Sequence, residues 1–250
     1  MENQLKYGQI FQQILRHYRP SIALHDILFE LELALLVAPT ASGHSTLINE
    51  LLKSGNYHFI ISDTTRYPRR NDGELEQNGR EYWFRGETEM VDDLKQSLYL
   101  APAIIHRQQV SGISLRELQK AKSDHKIPIA SVNFIGAETI YSQTDNVKFI
   151  YVLPPNFQTW LSRLEHRGGM PADEIYRRLE SAHAELRSAL TSPYYHFVVN
   201  DDLALATRQT NAIITGEYLD DRQQALDREL TKQLFDELNN YLAENHKHSV

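Results

Sequence analysis

The 250 residues contain no cysteine. That absence excludes disulfides, thiol nucleophiles and thiolate-bound zinc, and it agrees with a reducing compartment. Long apolar runs are missing too: none approaches the roughly 20 residues that a membrane-spanning helix needs. The opening Met1-Glu2-Asn3-Gln4-Leu5-Lys6 is polar where a secretory leader would be apolar. A cytoplasmic location with no membrane partner is therefore expected. Positive charge is scarce: the net charge is −7, which gives no basic field to attract nucleic acid, and none is expected as a partner. Eleven histidines are scattered without an H-E-x-x-H or other tight ligand spacing, so no protein-held metal is expected. Internal repeats and low-complexity linkers are also absent. An apolar fraction of 41% and a charged fraction of 24% are ordinary for a globular chain.

The most informative absence is a single lysine. Leu33–Val37 reads as a buried strand, Ala38–Gly43 as a turn of small residues, and Ser45 onward as a helix with Leu47, Leu51 and Leu52 on one face. A strand, a tight loop and a helix N-terminus together offer backbone N–H groups and a positive dipole end to an anion. The usual phosphate-loop pattern is G-x-x-x-x-G-K-[ST]. Here Ala38 stands at the first glycine and His44 at the lysine. Imidazole, with an unperturbed pKa of about 6.5, is only partly cationic near neutrality.

Residues 3–18 have helical spacing and are expected to end before Pro20. Strands are expected at Tyr57–Ser62, Ile127–Phe134, Val147–Leu153 and Phe197–Asn200. From Asp63 to about Val110 the pattern loosens into turns and short β-prone pieces, which suggests an inserted lobe. Ser114–Lys122 reads as a helix, with Ser114 as N-cap and Glu117 at the capping-box position. Asn156–Leu190 is helical with a break at Gly168-Gly169, and a long charged helix occupies about 219–244. Strands alternating with helices argue for a parallel sheet covered on both faces, with ligands beyond the strands' carboxyl ends.

Two arginine groups carry possible phosphate chemistry. Ser62, Thr64, Thr65, Arg66, Arg69 and Arg70 put guanidinium groups and hydroxyls just past a strand end. The bland alternative is a basic surface turn balanced by Asp72 and Glu74. Arg163, Arg167, Arg177 and Arg178 flank the glycine break, where two helical arms could close over a ligand and exclude water. There the alternative is solvated helix faces paired with Glu165, Asp173, Glu174 and Glu180.

Taken in order, these pieces resemble guanylate kinase, a P-loop nucleoside-monophosphate kinase, from about Ala34 to Ile214. Ala38–Thr46 resembles the family's phosphate loop. Ser62 with Thr64-Thr65-Arg66 and Pro68-Arg69 resembles the motif that grips the GMP phosphate. Gly79-Arg80-Glu81-Tyr82-Trp83-Phe84 resembles the segment whose tyrosine contacts that phosphate. Leu153-Pro154-Pro155, then Arg163-Leu164-Glu165-His166-Arg167-Gly168, resembles the lid entry, with Arg178 at the third lid arginine. Val199-Asn200-Asp201-Asp202 resembles the segment near the adenine.

The resemblance implies an α/β fold: a P-loop NTPase-like parallel sheet flanked by helices, with a small β-rich NMP-binding insertion and a helical lid. It implies a domain at 31–216, with the insertion at about 63–112 and the lid at about 156–190, while the helical extension (1–30) and the C-terminal helix (217–250) lie outside the resemblance and are read from helical spacing. The implied ligands are ATP with Mg²⁺ and a nucleoside monophosphate. ATP would lie on Thr40, Ala41, Ser42, Gly43, His44, Ser45, Thr46 and Asn200. The acceptor phosphate would lie on Ser62, Arg66, Arg69 and Tyr82, and Arg163, Arg167, Arg178 and His44 would carry catalysis.

Departures from the pattern keep a second reading open. Ala41 replaces a loop glycine, Ser131 and Asn133 replace acidic residues that support Mg²⁺ and the acceptor, and the Leu98–Ala103 region lacks the guanine-reading glutamate. Gln109–Ser114 replaces a segment with an acceptor-contacting tyrosine, so His106, Gln108, Gln109 or Ser111 would have to supply base contacts. Arg70 or a lid arginine would have to replace part of the missing lysine charge. The alternatives are thus a kinase acting on GMP or a related monophosphate, and a silent module that binds a nucleotide or a phosphorylated partner. Ala225, Leu226, Leu230, Leu234, Phe235, Leu238, Tyr241 and Leu242 form an apolar stripe that either packs on the core or makes a homodimer.

Overall fold

The computed structural model describes residues 5–71, 73–105, 107–144, 146–166, 171–217 and 220–245. In chain order the elements are α1 (Gly8–Arg16), α2 (Ile22–Glu30), β1 (Leu33–Val37), α3 (His44–Leu52), β2 (Tyr57–Phe59), β3 (Asp63–Thr64), β4 (Arg70–Asn71), β5 (Glu74–Leu75), β6 (Trp83–Phe84), α4 (Glu87–Lys95), β7 (Tyr99–Ile105) and β8 (Gln109–Ser114). Then follow α5 (Leu115–Ser123), β9 (Ile127–Ser131), α6 (Phe134–Tyr141), β10 (Val147–Leu153), α7 (Phe157–Glu165), α8 (Ala172–Thr191), β11 (Tyr195–Val199), α9 (Leu203–Ile214) and α10 (Asp221–Asn245). The chain divides into two compact units. The first takes the N-terminal segment through Leu33, Asn56–Ala130 and Glu138–Val147, and the second takes Ala34–Gly55, Ser131–Ala137 and the chain from Lys148.

In the second unit β11, β10 and β1 lie side by side. β10 and β11 run parallel, with Tyr151 opposite Phe197 and Leu153 opposite Val199. Every residue of β1 is buried. Such unbroken apolar strands are what a parallel sheet with helices on both faces requires. α3 buries Leu47, Ile48 and Leu51, and packs against α9. The long helix α10 packs along α8 and touches α7 and β11. Gln224 bonds both the N–H and the carbonyl of Phe197 (2.8 and 2.9 Å), and Arg228 donates to Leu190 O (2.6 Å). The His183 ring stacks on Phe235 at 4.8 Å, and Phe157 meets Tyr241 at 5.5 Å. Packing therefore accounts for Leu234, Phe235, Leu238 and Tyr241 of the apolar stripe, whereas Ala225 and Leu226 stay exposed.

In the first unit β9 and β2 pair in parallel, and a second sheet has the order β6-β3-β8-β7. α1 lies on α4 and β7, and its Phe11 joins a core of Tyr18, Met90, Val91, Leu94, Tyr99 and Val110. The Tyr18 hydroxyl donates to Tyr99 O and accepts from Tyr99 N–H, both at 2.8 Å. Fully buried Asp63 accepts from Tyr99 Oη (2.8 Å) and Arg116 Nη2 (2.9 Å). Burial still holds its carboxyl above the usual range, against these bonds and the nearby Arg116 and Arg85 charges.

Several expected elements change at their ends, each for a local reason. The strand from Ile127 stops at Ser131, because the Asn133 side chain accepts Gly136 N–H (2.8 Å) and starts α6. Tyr57–Ser62 is not one strand: β2 ends at Phe59, and Asp63 begins a strand of the other sheet. Helices α2 and α4, and the β7–β8 hairpin, lie where the sequence pattern was silent or loose. α5 starts after Ser114, yet Ser114 makes no capping bond. Glu117 instead accepts from Trp83 Nε1 (2.8 Å) and Ile61 N–H (3.1 Å), with His58 Nε2 at 3.2 Å. Burial pushes this carboxylate up, but the bonds from His58, Ile61 and Trp83 outweigh burial and hold it below the usual range.

Glu185 of α8 generates a stability prediction. One of its carboxylate oxygens has no partner, and burial pushes its pKa up to about 7. The unfolded value is near 4.3. Because the folded value is the higher one, the stability linked to Glu185 is complete below about pH 4.3 and declines as pH rises toward the folded pKa. Glu185→Gln removes this linkage. Its melting temperature should exceed the wild type's by several degrees at pH 8 and match it at about pH 4 and below. A melting difference that is the same at both pH values would refute the titration argument.

Candidate functional site

The first candidate half-site lies in the second unit, where β1 passes through Ala38–Gly43 into α3. Two loop residues have left-handed backbone: Gly43 at φ 86° and Ala41 at φ 65°. At Gly43 only glycine fits, since a Cβ there would lie 2.3 Å from Asn200 Nδ2. At Ala41 the conformation costs roughly 1–2 kcal/mol. The sequence pattern put glycine at this position, and the backbone keeps the geometry that glycine would take freely.

Side chains hold the loop in place. The buried Trp160 indole donates to Thr40 O (2.8 Å), Asn200 Nδ2 donates to Ser42 O (2.9 Å), and Arg178 Nη1 donates to Thr40 Oγ1 (3.2 Å). Arg163 Nη2 in turn donates to Asn200 O (3.1 Å). α3 starts at His44 with Gly43 as its N-cap, without a capping side chain or an acidic residue in the first turn. No side chain caps this helix N-terminus, and the helix dipole adds positive potential there.

These groups border a cavity of about 480 Å³. Of the residues expected at the donor site, Ala41, Gly43, His44, Ser45, Thr46, Arg163 and Asn200 line it, together with Asp201. Thr40 and Ser42 act through their carbonyls; the Ser42 hydroxyl is buried without a hydrogen-bond partner. Arg178 also pairs with Glu174 (2.9 Å). Arg177 is exposed and pairs with Asp173 and Glu174, which matches the solvated-face alternative for that residue. Arg167 and the Gly168-Gly169 break lie outside the described residues. Uncapped amides, hydroxyls and Arg163 fit a nucleotide's phosphates. No cluster of three or more histidine or acidic side chains suited to a metal occurs among the described residues. Mg²⁺ that arrives coordinated by nucleotide phosphates needs few protein ligands, and the Ser45 and Thr46 hydroxyls have suitable chemistry. Ser131 is exposed, and Asn133 caps α6.

The second candidate half-site lies in the first unit. Arg66 is buried and forms a bidentate pair with buried Glu76 through Nη1 to Oε2 and Nη2 to Oε1, the latter at 2.9 Å. Its guanidinium lies over Tyr82 at 4.7 Å and Phe84 at 5.6 Å. The Glu76 hydrogen bonds, which outweigh burial, hold Arg66 above its already high value. Glu76 also accepts Arg69 N–H (2.8 Å), and its own N–H donates to Arg69 O (2.9 Å), while the Arg69 side chain is exposed. Ser62 accepts Trp83 N–H through its carbonyl (3.0 Å). Thus Glu76 joins Arg66 and the Arg69 backbone, and Tyr82 stacks on Arg66. Among the described residues the acid that pairs with Arg66 is Glu76, while Glu74 pairs with Arg80 at 3.8 Å; Asp72 lies outside the described residues. Arg70 donates to Gly73 O (3.0 Å) in an exposed turn.

Where a base-reading carboxylate was expected to be missing, Ala101 sits at φ 46° in a bulge between Leu100 and Ala103, and Gln143 Oε1 accepts its N–H (3.2 Å). Ser111 donates to Thr64 Oγ1 (2.9 Å). Gln108 borders a cavity of about 470 Å³ with Thr65 and Arg66, Gln109 lies in β8, and His106 is outside the described residues.

Sequence reasoning missed Glu76 and Trp160. Glu76 had a weak signal, as an acid between two arginines and Tyr82. Trp160 had a stronger one: it is one of only two tryptophans, six residues after Pro154 on the arginine-bearing helix.

The guanylate kinase family model matches residues 31–217. The guanylate kinase of Corynebacterium efficiens is 32% identical over 186 residues, covering 74% of this chain and 95% of that protein. The guanylate kinase of Porphyromonas gingivalis is 32% identical over 190 residues, covering 73% and 96%. The crystal structure of guanylate kinase from Anaplasma phagocytophilum superposes with a TM-score of 0.54 at 21% identity, over 82% of this chain and 95% of that one, and shares the parallel sheet flanked by helices. With the phosphate loop, its anchors and the arginine cluster in place, these matches make the chain a member of the guanylate kinase family.

Proposed function

We propose that the protein transfers a phosphoryl group from ATP to GMP or a related nucleoside monophosphate. The observation that carries this reading is the uncapped N-terminus of α3 opening on a cavity with Arg163 in its wall. ATP phosphates would lie on the amides of Ala41, Gly43, His44 and Ser45. The acceptor phosphate would lie on Arg66, Arg69, Tyr82 and Ser62. An acceptor oxygen attacks the γ-phosphorus; the new O–P bond forms as the bond to the β-phosphate oxygen breaks, leaving ADP and a nucleoside diphosphate. Charge grows on the equatorial oxygens, and fixed cations and amides stabilise it. Mg²⁺ bound with the nucleotide would supply further neutralisation between the β- and γ-phosphates. Arg163 and Arg178 are lid-arm cations that reach the loop or its Asn200 anchor, and Arg167 joins them by its place in the motif. A cytoplasmic location and a domain at 31–216 belong to the same reading.

A second reading is binding without transfer. The capping role of Asn133 and the exposed Ser131 favour it, because they leave two expected carboxylates unreplaced. One assay separates the two readings: ADP production from ATP and Mg²⁺ with GMP, dGMP, AMP, CMP and UMP in turn. Transfer predicts acceptor-dependent turnover, and none across the panel leaves the binding module.

Arg66→Ala/Arg69→Ala should lower kcat/KM for the monophosphate by about 100-fold or more, since each charged hydrogen bond contributes roughly 1.5–3 kcal/mol. Undiminished kcat/KM would remove the arginines from the acceptor site. His44→Lys should raise kcat about tenfold or more by restoring a full cation beside the transferred group. If the rate is unchanged or falls, another group already supplies that charge.

A further inference from the structure

We infer that Trp160 is a positioning residue for the donor site, locking the Thr40–Ala41 peptide in the orientation that binds phosphate. The inference rests on the proposed nucleotide reading of the α3 cavity. It begins with a conflict in the loop. Ala41 has φ 65°, which an alanine left to itself avoids. Rotating the Thr40–Ala41 peptide plane by half a turn would change ψ of Thr40 and φ of Ala41 together and relieve the strain. The same rotation would reverse the Ala41 N–H, since the N–H and C=O of a trans peptide point in opposite directions and the described chain has no cis bond.

The indole blocks that rotation. Trp160 Nε1 donates to Thr40 O at 2.8 Å, so the carbonyl points at α7 and the Ala41 N–H points away from it. The indole is itself immobile. It is fully buried and meets Phe157 edge-on at 5.9 Å, and Phe157 in turn meets Tyr241 of α10 at 5.5 Å. Asn200 anchors the next carbonyl, Ser42 O, but there the following residue is Gly43, whose left-handed backbone needs no enforcement. Only at Ala41 does a phosphate-facing amide depend on an external hydrogen bond to outweigh a side chain's own preference. A buried tryptophan on the helix that also carries Arg163 therefore does for this loop what a glycine at 41 would do without help.

The test is a double-mutant cycle read by calorimetric titration of the full-length protein with ATP and Mg²⁺. Trp160→Phe keeps an aromatic ring and removes only the N–H. It should weaken ATP binding about two- to tenfold, the usual consequence of losing one hydrogen bond. In steady-state assays KM for ATP should rise while KM for the monophosphate stays constant. In an Ala41→Gly background the same Trp160→Phe change should cost less than twofold, because glycine holds the conformation without the anchor. An equal loss in both backgrounds would make Trp160 a packing residue and overturn the inference, as would an unchanged affinity in Trp160→Phe. If the unaltered protein binds no ATP, the donor-site reading fails and the inference fails with it.

Should Trp160→Phe not fold, hydrogen exchange on the unaltered protein asks the same question. The chain has two indoles, and the Trp160 N–H is assigned by comparison with Trp83→Phe. ATP should slow exchange of the Trp160 N–H and leave that of Trp83 unchanged, because a ligand that prefers the anchored loop must stabilise the anchor. Equal exchange with and without ATP would overturn the inference.

Discussion

Peptide amides can face a bound phosphate only if the carbonyls of the same peptides are held somewhere else. In a glycine-rich loop the backbone meets that demand largely through its own freedom. Here the freedom is reduced at Ala41, and the hydrogen bonds come from outside: Trp160 to Thr40 O and Asn200 to Ser42 O. Arg178 adds a bond to the Thr40 hydroxyl, and Arg163 holds the carbonyl of Asn200. The end of β11 and helices α7 and α8 thus all contribute to the shape of six loop residues. The sheet of the second unit places these contributors, so the parallel order β11-β10-β1 is a condition of the site as well as a packing solution.

The arginines proposed for the acceptor follow a different rule. A lone buried guanidinium would be strongly destabilising, and Glu76 removes that penalty with two parallel hydrogen bonds. The same carboxylate takes Arg69 N–H, so one acid fixes both residues of the motif. Tyr82 and Phe84 fix the guanidinium plane. Arg66 is therefore held in one orientation by the protein alone, and a ligand that used it would lose little side-chain entropy there. The Arg69 side chain, by contrast, is exposed.

How much of this was legible in the sequence depends on how local each signal is. The buried run of β1, the small-residue turn and the leucines of α3 are consecutive or helically spaced, and the structure reproduces them. Ser62 to Tyr82 was read as a phosphate motif, and the structure brings Arg66 to Tyr82 and joins Arg66 and Arg69 through Glu76. Partner choice was not legible. Glu74, Glu76 and Asp72 are equivalent by composition, and only the turn geometry brings Glu76 to Arg66. Glu117 had the spacing of a capping residue, yet it is buried beside Trp83 and His58, and tertiary donors outcompete the local backbone for a desolvated carboxylate. Asn133 shows the reverse case, a polar residue at a strand end whose local capping bond won. Helix α4 was hidden because Glu87, Asp92, Asp93 and Lys95 interrupt its apolar face of Met90, Val91 and Leu94.

The missing lysine places a particular demand on the lid arms. Arg163 and Arg178 already have partners at the loop they would assist: the carbonyl of its anchor Asn200 and the hydroxyl of Thr40. To stabilise a transferred phosphoryl group, each must exchange such a bond for one to a more highly charged acceptor. A guanidinium bond to a neutral oxygen is worth roughly 1.5–3 kcal/mol, and one to an anion is stronger still, so the exchange is favourable once the phosphate arrives. What opposes it is displacement of the helices, because α10 is fastened to α8 and α7 by Arg228, Phe235 and Tyr241. The guanidinium groups can change partners by side-chain rotation while their helices stay braced. Such an exchange would keep the Trp160 anchor intact, since Trp160 and Arg163 share α7 and a large shift of that helix would release the Thr40 carbonyl.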